Sequence, residues 1–171
     1  MEKYLYDSNL LKNLAIKNDQ FKYTIRPLMV DDFERGHLQL LSQLTKVGNV
    51  SDESYRAQFE RMKKSGQYYV TVIVDEETDR LIASATLFTE YKFIHNCAKR
   101  GRIEDVIVDK EYRGQRLGNI LIDTLKQLAQ NMECYKLTLD CNDDMIPFYN
   151  KFSFQYEPGR SNLMTIRFNY D

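Results

Sequence analysis

The stretch Val106-Ile107-Val108-Asp109-Lys110-Glu111-Tyr112-Arg113-Gly114-Gln115-Arg116-Leu117-Gly118 decides how this chain folds. Three β-branched residues end a buried strand. A short charged turn follows, and a helix begins at glycine-containing backbone. The first N–H groups of a helix have no partner inside it and carry partial positive charge. Glycine lets an anion approach that backbone closely. Arg113 and Arg116 add charge at the same place. The segment therefore reads as a cradle for a phosphate or pyrophosphate at a helix N-terminus. It is not a P-loop, because no Gly-Lys-Ser/Thr follows, and it is not a Gly-x-Gly-x-x-Gly dinucleotide turn. The turn alone does not name its anion.

After the turn, Leu117, Ile120, Leu121, Leu125 and Leu128 share one helical face, and Tyr135 to Asp140 is the next strand. This is a strand–helix–strand crossover. Before the turn, Tyr68 to Val74 and Leu81 to Thr89 are strands joined by the polar turn Asp75 to Asp79, and Ile103 to Val108 is a third. Further upstream, Tyr23 to Ile25 is a short strand stopped by Pro27. Phe33, His37, Leu40, Leu41 and Leu44 then form the buried stripe of a helix that starts at Asp31 and Asp32. Ser51 caps a second helix carrying Tyr55, Phe59 and Met62, and Ser65-Gly66 ends it. Lys92 to Cys97 is irregular. A short helix from Asp144 to Lys151 and strands near Phe154 and over Leu163 to Phe168 close the chain.

The expected order is β-α-α-β-β-β-α-β-α-β-β. That is an α/β (α+β) fold: a mixed, mostly antiparallel twisted sheet flanked by helices. Residues 1–20 read as an N-terminal arm with a stripe of Leu10, Leu11 and Leu14, and residues 21–171 as one domain. The arm packs either on this body or on a partner.

A length of 171 residues suits one domain. With 43% hydrophobic and 29% charged residues, the composition is that of a globular protein. The 24 basic and 25 acidic side chains leave a net charge of -1. A general nucleic-acid or anionic-membrane binder needs a basic excess, so neither partner is expected. Any anion must be met by a local cluster. No apolar run reaches the roughly 18 to 20 residues of a membrane span, and the N-terminus lacks a signal-peptide layout. The expected compartment is the cytoplasm. Cys97, Cys134 and Cys141 have neither disulfide nor zinc spacing and read as small buried hydrophobes. The only histidines, His37 and His95, give no metal-ligand spacing.

Six further blocks occur in order: Leu44 to Gly48, Met62 to Gly66, Lys92 to His95, Gly101 to Val106, Cys134 to Cys141 and Phe148 to Phe152. Together with Arg113-Gly114-Gln115-Arg116-Leu117-Gly118, they cover roughly residues 22 to 171. In these blocks the chain resembles the GNAT superfamily of N-acetyltransferases and, within it, the eukaryotic glucosamine 6-phosphate N-acetyltransferase family. The superfamily signature is [Q/R]-x-x-G-x-[G/A]. Arg116 stands here where glycine is usual.

The resemblance implies a GNAT fold with a central β-α-β unit that binds acetyl-CoA. It implies acetyl transfer from acetyl-CoA to the amine of D-glucosamine 6-phosphate by direct attack in a ternary complex. The products are N-acetyl-D-glucosamine 6-phosphate and CoA, a step of UDP-N-acetylglucosamine biosynthesis. It implies that the main chain of Val106, Ile107 and Val108 pairs with the pantetheine arm. Arg113, Gly114, Gln115, Arg116, Leu117, Gly118 and Asn119 complete the coenzyme site. Glu104, Asp105 and Cys141 fall at sugar-contacting positions, and the main-chain carbonyl of Asp140 at the amine. Tyr149 would contact the coenzyme and donate to the departing sulfur, a fitting role for a phenol that stays protonated near neutral pH. Lys92, Phe93, Ile94, His95 and Arg167, with Thr45, match the sugar-phosphate site. A homodimer with shared active sites is also implied. Met145 replaces an asparagine that contacts the coenzyme in many relatives.

The substrate ammonium must lose a proton before attack, and a carboxylate can take it directly or through water. On a strand, Glu104 and Asp105 point to opposite faces, so one of them reaches the cleft. Which group is the base stays open. Two other readings keep the coenzyme. One has a polyamine or protein lysine as acceptor, which favours an acidic lining over Lys92, His95 and Arg167. The other is a non-catalytic CoA-binding sensor, which needs neither Tyr149 nor Glu104.

Overall fold

Strands β1 (Thr24–Pro27), β2 (Tyr68–Asp75), β3 (Arg80–Tyr91), β4 (Lys99–Val108) and β5 (Cys134–Thr138) form one sheet in that order. The computed structural model describes residues 3–12, 14, 22–159, 163–166 and 168. β1 to β4 pair antiparallel and β5 joins β4 in parallel. The crossover between β4 and β5 is the long helix α5 (Leu117–Asn131). The other helical pieces are α1 (Asn9–Lys12), α2 (His37–Ser42), α3 (Asp52–Ser65), a turn α4 (Ile94–Cys97) and α6 (Ile146–Asn150).

Period-two alternation divides the core. Ile73, Ile82, Leu87 and Ile103 meet Leu121, Leu125 and Leu128 of α5 on one face. Val70, Val72, Val74, Leu81 and Ile107 meet Leu40 of α2 and Phe59 of α3 on the other. β2 and β3 are buried almost throughout because both of their faces are covered. Ser51 caps α3 as expected, accepting from Ser54 N–H at 3.1 Å. Gly66 ends it at a φ of 65°.

The helix expected from Phe33 to Leu44 is broken in two. A 3-10 turn spans Val30–Phe33, Gly36 reverses at a φ of 84°, and α2 covers only His37–Ser42. The cause is an ion pair. Asp32 is fully buried and accepts two bonds of 2.7 Å from the Arg26 guanidinium and one of 2.7 Å from Met29 N–H. Asp32 thus anchors this turn to β1 instead of serving a helix dipole. Leu44, beyond the shortened helix, is exposed. The closing strands also differ from expectation. Phe154, Leu163 to Ile166 and Phe168 are not in strands. Cys97 and Cys141 are exposed and Cys134 is half-buried, so none is a core residue.

Residues 3–12 and 14 pack on the body. Leu5 N–H donates to Leu28 O at 2.8 Å, and the Tyr6 and Thr71 hydroxyls lie 2.6 Å apart. Leu5 joins the α3-side core, whereas Leu11 and Leu14 join the α5-side core. Leu10 points outward.

His37 is buried, with Nδ1 2.9 Å from the Tyr55 hydroxyl. Its Nε2 has no hydrogen-bond partner among the described residues. Burial pulls its pKa down to about 4, against the opposing pull of Asp32. A depressed histidine pKa means that the fold excludes the charged ring. Its stabilising contribution is therefore complete above the unfolded value near 6.5 and is lost as pH falls towards 4. Between pH 7 and 4.5 this should cost about 2–3 kcal/mol relative to His37→Gln. Urea unfolding of both proteins at the two pH values checks it; equal losses would assign the pH dependence to other groups.

Candidate active site

The centre of the site is built on β4. On one side β4 pairs with β3 along its length, from Lys99 opposite Tyr91 to Val108 opposite Ala83. On the other side it meets β5 only from Lys99, opposite Cys134, to Arg102, opposite Thr138. β5 then stops. The β5-facing main chain of Ile103 to Val108 has no ladder partner among the described residues. The sheet opens here into a fork whose free edge offers N–H and C=O groups to an incoming extended chain. Within it β4 carries a bulge. Ser84 faces Ile107 and Thr86 faces Glu104, so one residue of β3 spans two of β4. Asp105 takes a φ of 52° there. The simple alternation expected of Glu104 and Asp105 is therefore broken.

The turn after β4 is clamped from three directions. Asp109 is buried; one carboxylate oxygen accepts Glu111 N–H at 2.9 Å. The other accepts Gln43 Nε2 at 3.0 Å and Arg80 at 3.3 Å. Gln43 Oε1 accepts Lys110 N–H at 3.0 Å, and the Tyr112 hydroxyl donates to Asp75 at 2.8 Å. Asp109 caps the 3-10 turn Lys110–Tyr112, which hands the chain on to α5. Gly114 and Arg116 both lie in the left-handed region, at φ of 82° and 61°. Such turns gather main-chain N–H groups into an anion-binding concavity. A cavity of about 260 Å³ opens there, lined by Val108, Tyr112, Arg113, Gly114, Arg116, Leu117, Gly118, Asn119 and Phe148. The conformation of Arg116 explains why glycine is usual at its position in the superfamily.

A family model for the Acetyltransferase (GNAT) family matches residues 22–154. The chain belongs to the GNAT acetyltransferase family. It is 45% identical to a probable glucosamine 6-phosphate N-acetyltransferase of Drosophila melanogaster, over 98% of this chain and 83% of that protein. It is 41% identical to glucosamine 6-phosphate N-acetyltransferase 1 of Dictyostelium discoideum, over 77% of this chain and 84% of that protein. The crystal structure of glucosamine-6-phosphate N-acetyltransferase from Arabidopsis thaliana superposes with a TM-score of 0.82 at 35% identity, covering 87% of this chain and all of that one.

In this GNAT domain, the fork brings some of the expected site residues together. Val106, Ile107 and Val108 line its free edge, and Arg113 to Asn119 form the adjoining turn. Gln115 accepts from the Tyr23 hydroxyl at 2.7 Å, and Arg113 Nε donates to Val108 O at 3.4 Å. Glu104 and Asp140 are joined by Arg102, which donates to both. Lys92 pairs with Glu90. Glu90 also faces Arg100 at 3.5 Å, and Arg100 donates to Thr138 at 3.0 Å. Two polar clusters thus line up along β4, one around Arg100 and one around Arg102.

Other expected residues stand apart from that row. Thr45, Phe93, Ile94 and His95 are exposed, and the His95 ring stacks on Tyr135 with centroids 4.4 Å apart. Arg167 lies outside the described residues. Tyr149 is buried between Phe148 and Phe154, and this burial, then Cys141, raises its pKa. The phenol is therefore neutral at physiological pH. Partial desolvation, then Asp143, Asp140 and Asp144, raise the Cys141 thiol. Cys141 is thus a thiol, unsuited to act as a nucleophile. Asp105 is raised by partial desolvation and then by Glu104, although much of its side chain reaches solvent.

Sequence reading missed Arg102, Tyr112 and Phe148 as site components. Arg102 and Phe148 lay inside quoted blocks, but only three-dimensional packing gives them partners. A larger cavity, about 580 Å³, lies elsewhere, between α2 and the β2–β3 turn. Both arginines in its wall are already paired, Arg35 with Asp79 and Arg80 with Asp109. The smaller cavity adjoins both the free edge and the cradle, so it is the better candidate.

Gly114 meets no atom within 4 Å of a built Cβ, so its constraint is backbone conformation alone. Gly114→Ala should cost about 1–2 kcal/mol of strain in the turn. The Kd for CoA, measured by calorimetry, is expected to rise about tenfold while α5 stays folded. Unchanged affinity would remove the turn from coenzyme binding.

Proposed function

We propose that this chain is a glucosamine 6-phosphate N-acetyltransferase, moving acetyl from acetyl-CoA to the amine of D-glucosamine 6-phosphate. The carrying observation is the fork in the sheet running directly into a clamped anion cradle. The relatives named for this reaction supply the acceptor. Acetyl-CoA supplies the thioester acyl group. The edge of Val106 to Val108, which has no strand beside it on this side among the described residues, receives its amide-bearing arm as a neighbouring strand would. Arg113, Arg116 and the N–H groups around Gly114 meet its pyrophosphate. Tyr149, held neutral, donates its proton to the leaving sulfur.

The acids at the fork draw the sugar ammonium in, and one of them takes its proton directly or through water. Lys92, His95, Thr45 and Arg167 serve the sugar phosphate in this reading. Lys92 is paired with Glu90 before any phosphate arrives, so phosphate binding exchanges one anion for another. Neither a polyamine acceptor nor a pure sensor accounts for this cationic side of the site together with Tyr149.

The same reading includes a homodimer. Phe93 is 98% exposed and Met164 91% exposed. Tyr91, Ile94, Leu163, Ile166 and Phe168 are exposed apolar residues as well. Exposed apolar side chains such as neighbouring Phe93 and Ile94 support a protein contact at this place. A second copy covering Phe93 and Ile94 would sit beside the phosphate residues Lys92 and His95. No helix among the described residues is long and apolar enough to cross a membrane.

Acetylation of an amine panel tests the substrate. Glucosamine 6-phosphate should be turned over at least about 100-fold more efficiently than glucosamine, because the site is built around paired charges. A preference for spermidine or a lysine peptide would overturn the assignment. Sedimentation velocity at micromolar protein should give a dimer, and Phe93→Asp should shift it to monomer. A wild-type monomer would remove the shared-site reading.

A further inference from the structure

We infer that Arg102 is a positioning residue that clasps the two prongs of the sheet fork, holding Glu104 and Asp140 on either side of the amine to be acetylated. This rests on the function proposed above. Arg102 is the last residue of β4 still paired with β5, opposite Thr138. Its Nε donates to Glu104, two residues further along β4, and its Nη2 donates to Asp140, two residues past Thr138 on the β5 side. One side chain at the apex thus holds one acid from each prong.

A guanidinium suits this task. Its N–H groups lie in one rigid plane and point in fixed directions, so two carboxylates bound to it are held at a fixed separation. Neighbouring cations do not substitute for it. Arg100, on the same face of β4, is engaged by Glu90 and Thr138, and Lys92 by Glu90. Without Arg102 the two acids would face one another with the substrate ammonium as their only close cation. The amine would then still be drawn in but no longer held in line with the acyl group. Loss of Arg102 should therefore reduce turnover without weakening amino-sugar binding.

The test is steady-state kinetics on the amine that wild type prefers in the panel, with CoA affinity by calorimetry. Arg102→Met should lower kcat about 10- to 100-fold, the usual scale of a small misplacement. KM for the amine should stay level or fall, and the Kd for CoA should stay within about twofold. Arg102→Lys, which keeps the charge but not the fork, should recover part of the loss. Asp140→Asn, which leaves the main-chain carbonyl in place, should lower kcat in the same way. Arg102→Met combined with Asp140→Asn should be no worse than the poorer single variant. Unchanged kcat in Arg102→Met, CoA affinity falling in step with kcat, or additive losses in the double variant would overturn the clasp. A wild type inactive on glucosamine 6-phosphate but active on another amine removes the substrate reading, while the same variants on that amine still decide the clasp.

Discussion

The parallel ladder between β4 and β5 ends at Arg102 and Thr138, and the rest of the site follows from that ending. A sheet that stayed closed would have no free main-chain edge in its middle. A sheet that opened sooner would lose the pairing that holds β5 and, through it, the loop carrying Asp140. Unpaired main-chain groups are costly when kept from water, so an edge like this persists where solvent or a ligand satisfies it. The bulge at Asp105 lets β4 turn away while keeping its other side on β3. The position of the fork is thus a compromise between two neighbours of one strand.

Two polar anchors hold the surroundings of that fork. Asp109 ties the turn after β4 to Gln43, just beyond α2, and to Arg80 at the start of β3. Asp32 ties the turn before α2 to Arg26 of β1. Both carboxylates are buried, and both are fully engaged in hydrogen bonds. A buried charge that loses its partner is far more costly than one that keeps it. These groups therefore specify a single arrangement of α2 against the sheet, and the cradle inherits that precision.

The cradle was legible in the sequence because it is local: a strand, two arginines, glycines and a helix within thirteen residues. The helical face of α5, the cap at Ser51 and the β2–β3 turn were legible for the same reason. The fork was not, because nothing near Val106 says where β5 will stop. The bulge depends on registry with β3, and so overrides the alternation that a single strand suggests. The helix after Phe33 was misjudged because its apolar spacing is real, but Asp32 is claimed by an arginine on another element. The cysteines were misjudged because small apolar side chains carry no sign of which surface they will reach. The acids were found by type; the arginine between them emerged only when both prongs were in place.

The N-terminal residues add a constraint on how the chain is made. Tyr6 is bonded to Thr71, Leu5 is seated against Leu28, and Leu11 and Leu14 belong to the core under α5. This segment, synthesised ahead of the sheet and helices it packs on, therefore completes its packing only after residues beyond 117 have been synthesised. Contacts so distant along the chain are slow to form, since a long loop must close before they are rewarded. The arm is translated well before the helix it packs under, so a nascent chain must keep those leucines from other apolar surfaces until the crossover helix exists.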